Sequence, residues 1–308
     1  MPVQIPTMEE MLKGGVHFGH QSSRWHPKMR PYIYTVRNGV HIFDLKKTAS
    51  HLQEACRFLE QVVADGGDVL FVGTKTQAQP LIEKYAKEAG MPYMQSRWIG
   101  GLLTNFGEVK KVIQHYLDLI QGRDSGDWKK YTKKEQVGLA KELEKLESTV
   151  AGLANLKELP KAVFIVDTRN EKTALTEASV RGISVVGVCD TNVNPSMVDY
   201  VIPANDDATR GVELMIKTVA DACAEGLKNR KVIPVKTPVT KIAGKTAKKG
   251  DGKTLKEVVE EKTAEVNKAE AKPAEEKTAE VKPVEEKTVE EKPTEEKKEV
   301  EQTPEKSE

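Results

Sequence analysis

Residues 160–192, PKAVFIVDTRNEKTALTEASVRGISVVGVCDTN, carry the clearest fold signal of this sequence. This stretch contains two short apolar runs, residues 162–166 and 183–188, that are rich in β-branched side chains. A helix-forming segment, residues 171–181, separates them and ends at Gly182. Strands that are apolar on both faces and are separated by helices are typical of a parallel sheet covered on both sides.

The same alternation continues on both sides of this stretch. Residues 69–72, 91–94 and 200–202 are further short apolar runs, with helical patterns up to Gly90 and over residues 208–227. Nearer the N-terminus, Thr7 is placed to cap a short helix, and Asn38-Gly39 separates two strand-like runs as in a tight hairpin. We therefore predict an α/β fold, a doubly wound parallel sheet of the Rossmann or flavodoxin type.

Residues 107–158 interrupt the alternation. Apolar residues recur at helical spacing from Val109 to Ile120 and again from Leu139 to Leu153, with a polar turn between the two series. Two amphipathic helices joined by a short loop predict an inserted antiparallel helical hairpin of the coiled-coil kind. This hairpin divides the predicted α/β domain into residues 1–106 and 159–230.

The last part of the chain, residues 231–308, has a different composition. Residues 236–256 carry seven lysines and one aspartate, whereas residues 257–308 carry ten lysines and eighteen glutamates. A ten-residue unit rich in Lys, Pro and Glu recurs as KPAEEKTAEV, KPVEEKTVEE and KPTEEKKEV from residue 272 onwards. Regular prolines and few apolar residues predict a disordered, charged tail.

Several classes of protein are disfavoured by the sequence. The three cysteines are far apart, which argues against a disulfide framework or a zinc ribbon and fits a cytoplasmic protein. No run of about 18 apolar residues predicts a membrane span, and the first residues do not have the pattern of a secretory signal. The sequence also contains no GxxxxGK[ST], GxGxxG, GxSxG or HExxH motif, so no cofactor and no small-molecule substrate are predicted.

Two weaker possibilities concern metal binding and catalysis. His17 and His20 are three residues apart, a spacing found in metal-ligand pairs, and Asp190, Asp206 or Asp207 could complete a site from the sheet edge. The alternative is that these histidines form only local hydrogen bonds. Asp167 and Asp190 follow strands, so a nucleotide- or phosphosugar-binding enzyme using Asp190 and the turn 73–75 is the alternative function. Aspartates are equally common in ordinary turns at such places.

The most informative residues are cations interleaved with aromatic rings. The segment 24–32, RWHPKMRPY, contains Arg24, Trp25, Lys28 and Arg30 together with two prolines. Arg97 precedes Trp98 in SRWIGGLLTN, and a further cationic group stands at the start of the second predicted hairpin helix. Cations neutralise phosphates and exposed rings stack on bases, so these groups favour binding to RNA. The candidate residues are Arg24, Trp25, Lys28, Arg30, Arg97, Lys129, Lys130, Lys133 and Lys134.

Several of these strings resemble one family. HFGHQSSRWHPKMRPYI, VLFVGTK, SRWIGGLLTN, YTKKEQ, LEKLE, the stretch 160–192 and YVIPANDDATR occur in the order found in the bacterial small-subunit ribosomal protein S-two family. The resemblance covers residues 7–227. It implies an α/β domain with a helical hairpin, binding to 16S rRNA near the neck of the small subunit, and a part in docking ribosomal protein S-one. It also implies no catalytic activity, no membrane partner and a place in the ribosome; the tail lies beyond the resemblance.

Overall fold

The structure, a computed structural model, describes residues 4–230, so the predicted tail over residues 231–308 lies outside the described residues. Fifteen α-helices and β-strands make up most of this part of the chain. In chain order they are α1 (Met8–Lys13), β1 (Phe18–Gln21), β2 (Ile33–Arg37), β3 (Val40–Phe43), α2 (Leu45–Ala64), β4 (Val69–Val72), α3 (Gln79–Glu88), β5 (Tyr93–Met94), α4 (Phe106–Asp124), α5 (Lys133–Val150), β6 (Ala162–Val166), α6 (Lys172–Arg181), β7 (Ser184–Cys189), β8 (Tyr200–Pro203) and α7 (Thr209–Lys228).

The main sheet has five parallel strands in the order β5-β4-β6-β7-β8. Strand β5 lies on one side of β4, and the strands β6, β7 and β8 follow one after another on its other side. This is the strand order of a flavodoxin-like sheet, with its change of direction between β4 and β6. The predicted doubly wound α/β fold is confirmed.

Side chains of the central strands alternate between two apolar layers. Phe71 and Phe164 contact the layer that includes α2, α3 and α7, and their rings meet edge to face at 5.3 Å. Leu70 and Val163, the neighbours of these residues, face the layer that includes α4 and α6. Because both faces of the sheet are covered, these strands are apolar throughout and do not alternate with polar residues.

A second, smaller sheet has the order β1-β3-β2 and is antiparallel. The predicted hairpin β2–β3 is present, and Asn38 (φ 51°) and Gly39 (φ 75°) form its turn. Strand β1 was not predicted, because its sequence, FGHQ, has no strand-like alternation. Its position depends on a distant contact: the backbone N–H of His20 donates to Thr191 Oγ1 at 2.9 Å, and a Cβ on Gly19 would lie 2.6 Å from Thr191 Cγ2.

Helices α4 and α5 form the inserted helical hairpin between β5 and β6. His115 Nε2 of α4 lies 3.1 Å from Glu142 Oε1 of α5, and this contact joins the two helices near their middles. Thr132 and Glu135 form a capping box at the start of α5, so this helix begins where its sequence predicts. The exact limits of the insertion, residues 107–158, stay a prediction.

Gly152 fixes the return of the hairpin to the sheet. A Cβ at this position would lie 2.2 Å from the carbonyl oxygen of Tyr93 in β5, so we expect Gly152→Ala to lower the free energy of unfolding by about 2 kcal/mol. Gly138 in α5 has no atom within 4 Å of such a Cβ, so Gly138→Ala is expected to raise that free energy by about 0.5–1 kcal/mol. Urea unfolding followed by circular dichroism measures both. Equal stability of the two variants would contradict this packing.

Candidate nucleic-acid interface at the carboxyl edge of the sheet

The carboxyl ends of the five parallel strands meet at one side of the sheet, here called the carboxyl edge. Five connections gather there: residues 73–75 after β4, 95–105 after β5, 167–171 after β6, 190–196 after β7 and 204–207 after β8. Doubly wound folds bind their ligands at this edge. The segments predicted to bind RNA or a metal also lie at the carboxyl edge, apart from the hairpin lysines.

The cationic segment 24–32 is fastened to the connection after β7. The backbone N–H of His26 donates to the carbonyl oxygen of Thr191 at 2.7 Å, and Lys28 Nζ donates to Ser196 Oγ at 2.7 Å. Residues Pro27–Tyr32 form a 3-10 helix with a proline at its start and a second one inside. This stiff segment carries Arg24, Lys28 and Arg30 at the carboxyl edge, and all three side chains are exposed.

The two tryptophans next to the predicted cations are packed differently. Trp25 is half-buried, with its ring centre 5.1 Å from that of His41. Trp98 is only 8% exposed and its Nε1–H donates to Glu177 Oε1 at 3.0 Å. Trp98 therefore belongs to the core, whereas part of the Trp25 ring remains accessible.

Glu177 on α6 holds the loop that carries Arg97. Its carboxylate accepts hydrogen bonds from Trp98 and from three backbone N–H groups of the loop, those of Gly101, Leu103 and Thr104, at 2.8–3.2 Å. Burial alone would raise the pKa of Glu177, but these hydrogen bonds outweigh it and hold the pKa below its ordinary value. Glu177 was not predicted as a functional residue from the sequence. The signal that could have indicated it is an acidic residue that lies among the apolar positions on one face of α6.

Arg181, one turn after Glu177, completes the attachment of this loop. Its Nε–H donates to the carbonyl oxygen of Leu103 at 2.9 Å, and its Nη2 donates to the carbonyl oxygen of Thr104. Glu177 thus holds the loop through its N–H groups, and Arg181 holds it through its carbonyl groups. Arg97 remains exposed at the start of the loop.

The predicted RNA-binding cations fall into two groups. Within residues 4–230, Arg24, Lys28, Arg30 and Arg97 form no salt bridge, so their charges are not neutralised by the described part of the chain. The second group, Lys129, Lys130, Lys133 and Lys134, lies at the far end of the helical hairpin. Helix α4 has 19 residues, which places this group about 28 Å from the start of the helix. Of its members, Lys130 pairs with Asp127 at 2.6 Å.

The predicted metal ligands are brought together only in part. His20 Nδ1 lies 3.1 Å from Asp190 Oδ2, and His20 Nε2 lies 3.7 Å from Asp207 Oδ2. Potential ligand atoms of His20, Asp190 and Asp206 all lie within 4.8 Å of one another, a donor set that suits a divalent cation. His17 is not part of this group; its ring packs on Phe18.

Lys75 already supplies positive charge to this group of acids. Its Nζ lies 2.9 Å from Asp206 Oδ1 and 2.5 Å from Asp207 Oδ1. Burial, together with the charges of Asp190 and Asp167, raises the pKa of Asp206 to about 7, although Lys75 lowers it. The hydrogen bond to Asp190 raises the pKa of His20 against the effect of its burial. Metal binding by these residues therefore stays a hypothesis, which metal analysis of the purified chain tests.

The charge of Lys75 gives a testable effect on stability. We expect Lys75→Met to lower the free energy of unfolding by about 2 kcal/mol at pH 8, because it leaves the buried carboxylate of Asp206 without its cationic partner. The folded-state pKa of Asp206 lies above its ordinary value of 3.8, so protonation on going from pH 7 to pH 4 stabilises the folded chain. The stability lost in the Lys75→Met variant should therefore be smaller at pH 5 than at pH 8. Denaturant unfolding at the two pH values measures it, and a loss that is independent of pH would contradict the assignment.

Lys87→Met is the matched control for this substitution. Lys87 pairs with Glu83 at 2.6 Å, but both side chains are exposed, at 59% and 38%. Exposed ion pairs contribute about 0–1 kcal/mol, so little change is expected at either pH.

Asp167 and Asp190, the strand-end aspartates considered for the alternative enzyme function, accept local hydrogen bonds. Asp167 Oδ1 accepts from the backbone N–H of Arg169 at 3.1 Å, and its Oδ2 accepts from Asn170 Nδ2 at 2.7 Å. Asp190 is fully buried and its Oδ1 accepts from Thr191 Oγ1 at 3.0 Å. These contacts are the ordinary turn hydrogen bonds that were the alternative to catalysis.

Within the part of the chain that the structure describes, none of the helices combines the length and the apolar composition that crossing a membrane requires.

Fold and surface together define a doubly wound α/β protein with a helical hairpin and a cationic carboxyl edge. The model of the family described as Ribosomal protein S2 matches residues 11–226, and the chain belongs to that family. The match ends before the charged tail. Members of this family are structural proteins of the small ribosomal subunit and not enzymes, so the enzyme alternative is wrong.

Two curated relatives illustrate the similarity. The chain is 47% identical to the small ribosomal subunit protein uS2 of Chloroflexus aggregans (strain MD-66 / DSM 9485) over 227 residues, 74% of this chain and 95% of the relative. It is 50% identical to the protein of the same name from Acidothermus cellulolyticus (strain ATCC 43068 / DSM 8971 / 11B) over 227 residues, 73% of this chain and 82% of the relative.

Proposed function

We propose that this small-subunit ribosomal protein binds 16S rRNA near the neck of the subunit through its carboxyl edge. It acts there as a structural constituent during translation in the cytoplasm. The observation that supports this most directly is the set of exposed cations, Arg24, Lys28, Arg30 and Arg97, that have no salt-bridge partner within residues 4–230.

The geometry suits phosphate binding for two reasons. Cations that lack an internal partner can release the counterions of an RNA backbone without first breaking a salt bridge. The segments that carry them are also held in place before binding, by His26 and Lys28 on one side and by Glu177 on the other. Little conformational entropy is then lost on association.

The lysines at the end of the hairpin add a second contact with RNA. Lys129, Lys133 and Lys134 are exposed and form no salt bridge within the described residues. Their distance of about 28 Å from the start of α4 allows them to reach a different part of the RNA backbone from that bound at the carboxyl edge. Two contacts made by one chain strengthen each other because the second is formed within the complex.

We also propose that the bound protein helps to dock ribosomal protein S-one. The family resemblance supports this part of the function. It is tested by mixing purified S-one with small subunits that contain or lack this chain. Equal retention of S-one by both kinds of subunit would contradict it.

The proposed RNA binding is tested with the purified full-length chain and transcribed 16S rRNA. Filter binding between 50 and 200 mM salt should give a logarithmic slope of at least about −3 to −4 from the four cations of the carboxyl edge, and a steeper slope when the hairpin lysines also contact phosphates. The chain should also remain on small subunits that have been washed with salt. Absence from washed subunits, or binding that does not depend on salt, would contradict the proposal.

A further inference from the structure

A cavity of about 710 Å³ opens at the carboxyl edge, between the start of α6 and the connection that follows β7. The segment that carries Arg24 and His26 lines a further side of it. We propose that this cavity binds one unstacked nucleotide of the RNA, with its phosphate at the cationic rim and its base on the apolar floor. This inference rests on the proposed function and makes it more specific.

The rim of the cavity selects for an anion. Arg24, Arg169 and Lys172 line it, all three are exposed, and none forms a salt bridge within residues 4–230. Among the residues that the structure describes, no aspartate or glutamate lines the cavity. Three positive charges at the mouth of one concave site, without an internal counterion, attract a phosphate and hold it by charge-assisted hydrogen bonds.

His26 adds a fixed hydrogen-bond donor to this rim. Its Nδ1 accepts a hydrogen bond from the backbone N–H of Lys28 at 3.2 Å. In the neutral ring the proton is therefore on Nε2, which can donate to a ligand. This geometry suits a phosphate or a ribose hydroxyl without requiring protonation of the ring.

The floor of the cavity suits a base. Leu175 and Val193 are buried, at 3% and 4% exposure, whereas Met197 is 45% exposed and offers an apolar surface. Asn192 also lines the cavity, and its buried Oδ1 has no hydrogen-bond partner among residues 4–230. A buried acceptor of this kind is costly unless a ligand satisfies it. The N–H edge of a base that lies on the apolar floor provides that donor.

The size and mixture of surfaces favour a nucleotide over the other anionic ligands. The volume lies within the range of about 300–1,000 Å³ that is typical of small-ligand pockets, which admits one nucleotide but not a stacked helix. Acidic side chains of a peptide would satisfy Arg169 and Lys172 but would not place a flat ring on the apolar floor. Sequence-specific recognition of RNA uses unstacked bases of this kind.

The test uses the full-length chain and 16S rRNA in filter-binding assays over a range of salt concentrations. The double variant Arg169→Ala/Lys172→Ala should lower the affinity about tenfold and make the logarithmic salt slope shallower by about 2. Thr176→Trp narrows the cavity from an exposed position on its wall and keeps every charge. It should lower the affinity while leaving the salt slope unchanged. Arg57→Ala removes an exposed cation of α2 outside the cavity and serves as the control.

Chemical probing of the bases identifies the nucleotide. One base that is protected from dimethyl sulfate or carbodiimide by the wild-type chain should become reactive with Thr176→Trp. If the wild-type chain binds 16S rRNA but both cavity variants bind and protect it equally well, the cavity proposal is overturned and the proposed function stands. If those variants keep rRNA affinity and lose retention of a ribosomal protein, the cavity binds a protein segment and the proposal is again overturned. Failure of the wild-type chain itself to bind rRNA overturns both.

Discussion

Charge reversal at the four unpaired cations of the carboxyl edge is expected to lower the affinity for 16S rRNA at least about 100-fold. The variant is Arg24→Glu/Lys28→Glu/Arg30→Glu/Arg97→Glu. Each lost phosphate contact removes about 0.9 from the logarithmic salt slope, so the slope should become shallower by about 3 to 4. All four side chains are exposed, so the thermal midpoint of the variant should stay close to that of the wild-type chain.

The control for this variant changes the same number of charges elsewhere. Lys46, Arg57, Lys84 and Lys217 are exposed on α2, α3 and α7. Reversal of these four gives a chain with the same net charge but an intact carboxyl edge, and it should retain most of the affinity. Equal weakening by the two variants would show that only net charge matters and would remove the carboxyl edge as the binding surface.

Glu177→Ala is expected to lower the free energy of unfolding by about 3–5 kcal/mol. The substitution leaves the Nε1–H of Trp98 and the backbone N–H of Leu103 without an acceptor in a buried environment, and it removes the acceptor of two further N–H groups. Glu177→Gln keeps an oxygen but turns an amide N–H₂ towards these donors, so an intermediate loss is expected. Glu54→Ala, at an exposed position of α2, is the control and should change stability by less than about 0.5 kcal/mol.

The effect of Glu177 should also depend on pH. Its folded-state pKa lies below the ordinary value of 4.5, so the ionised carboxylate contributes its full stability above that pH. The contribution is lost as the pH falls through the folded-state pKa. The difference in stability between the wild-type chain and Glu177→Ala should therefore be constant from pH 7 to pH 5 and should narrow below pH 4.5. A difference that widens in acid would contradict the hydrogen-bond assignment.

Most of the fold could be predicted because its elements carry local signals. The strands of the main sheet are apolar on both faces, and helices with one apolar face follow them, so residues 162–166 and 183–188 identify a covered parallel sheet without any tertiary information. Asn38-Gly39 and Thr7 likewise specify a turn and a helix start through their own geometry. Strand β1 carries no such signal, because Gly19 and His20 are placed by contacts with Thr191.

The candidate site was predicted less completely for the same reason. The cations of segment 24–32 were visible as a local pattern, whereas Arg169 and Lys172 join Arg24 only because the connections after β6 and β7 meet at the carboxyl edge. Glu177 acts on a loop more than 70 residues away in the chain, and no local pattern indicates that partner. The pairing of His20 with Asp190, and the separation of His17 from it, are also consequences of the fold.

The most direct test of the account is a cryo-electron microscopy map of the small ribosomal subunit that contains this chain. We expect the α/β body against 16S rRNA, with Arg24, Lys28, Arg30 and Arg97 within hydrogen-bonding distance of RNA phosphates. A map in which these four side chains face solvent, or in which the chain is attached through protein partners alone, would contradict the proposed interface.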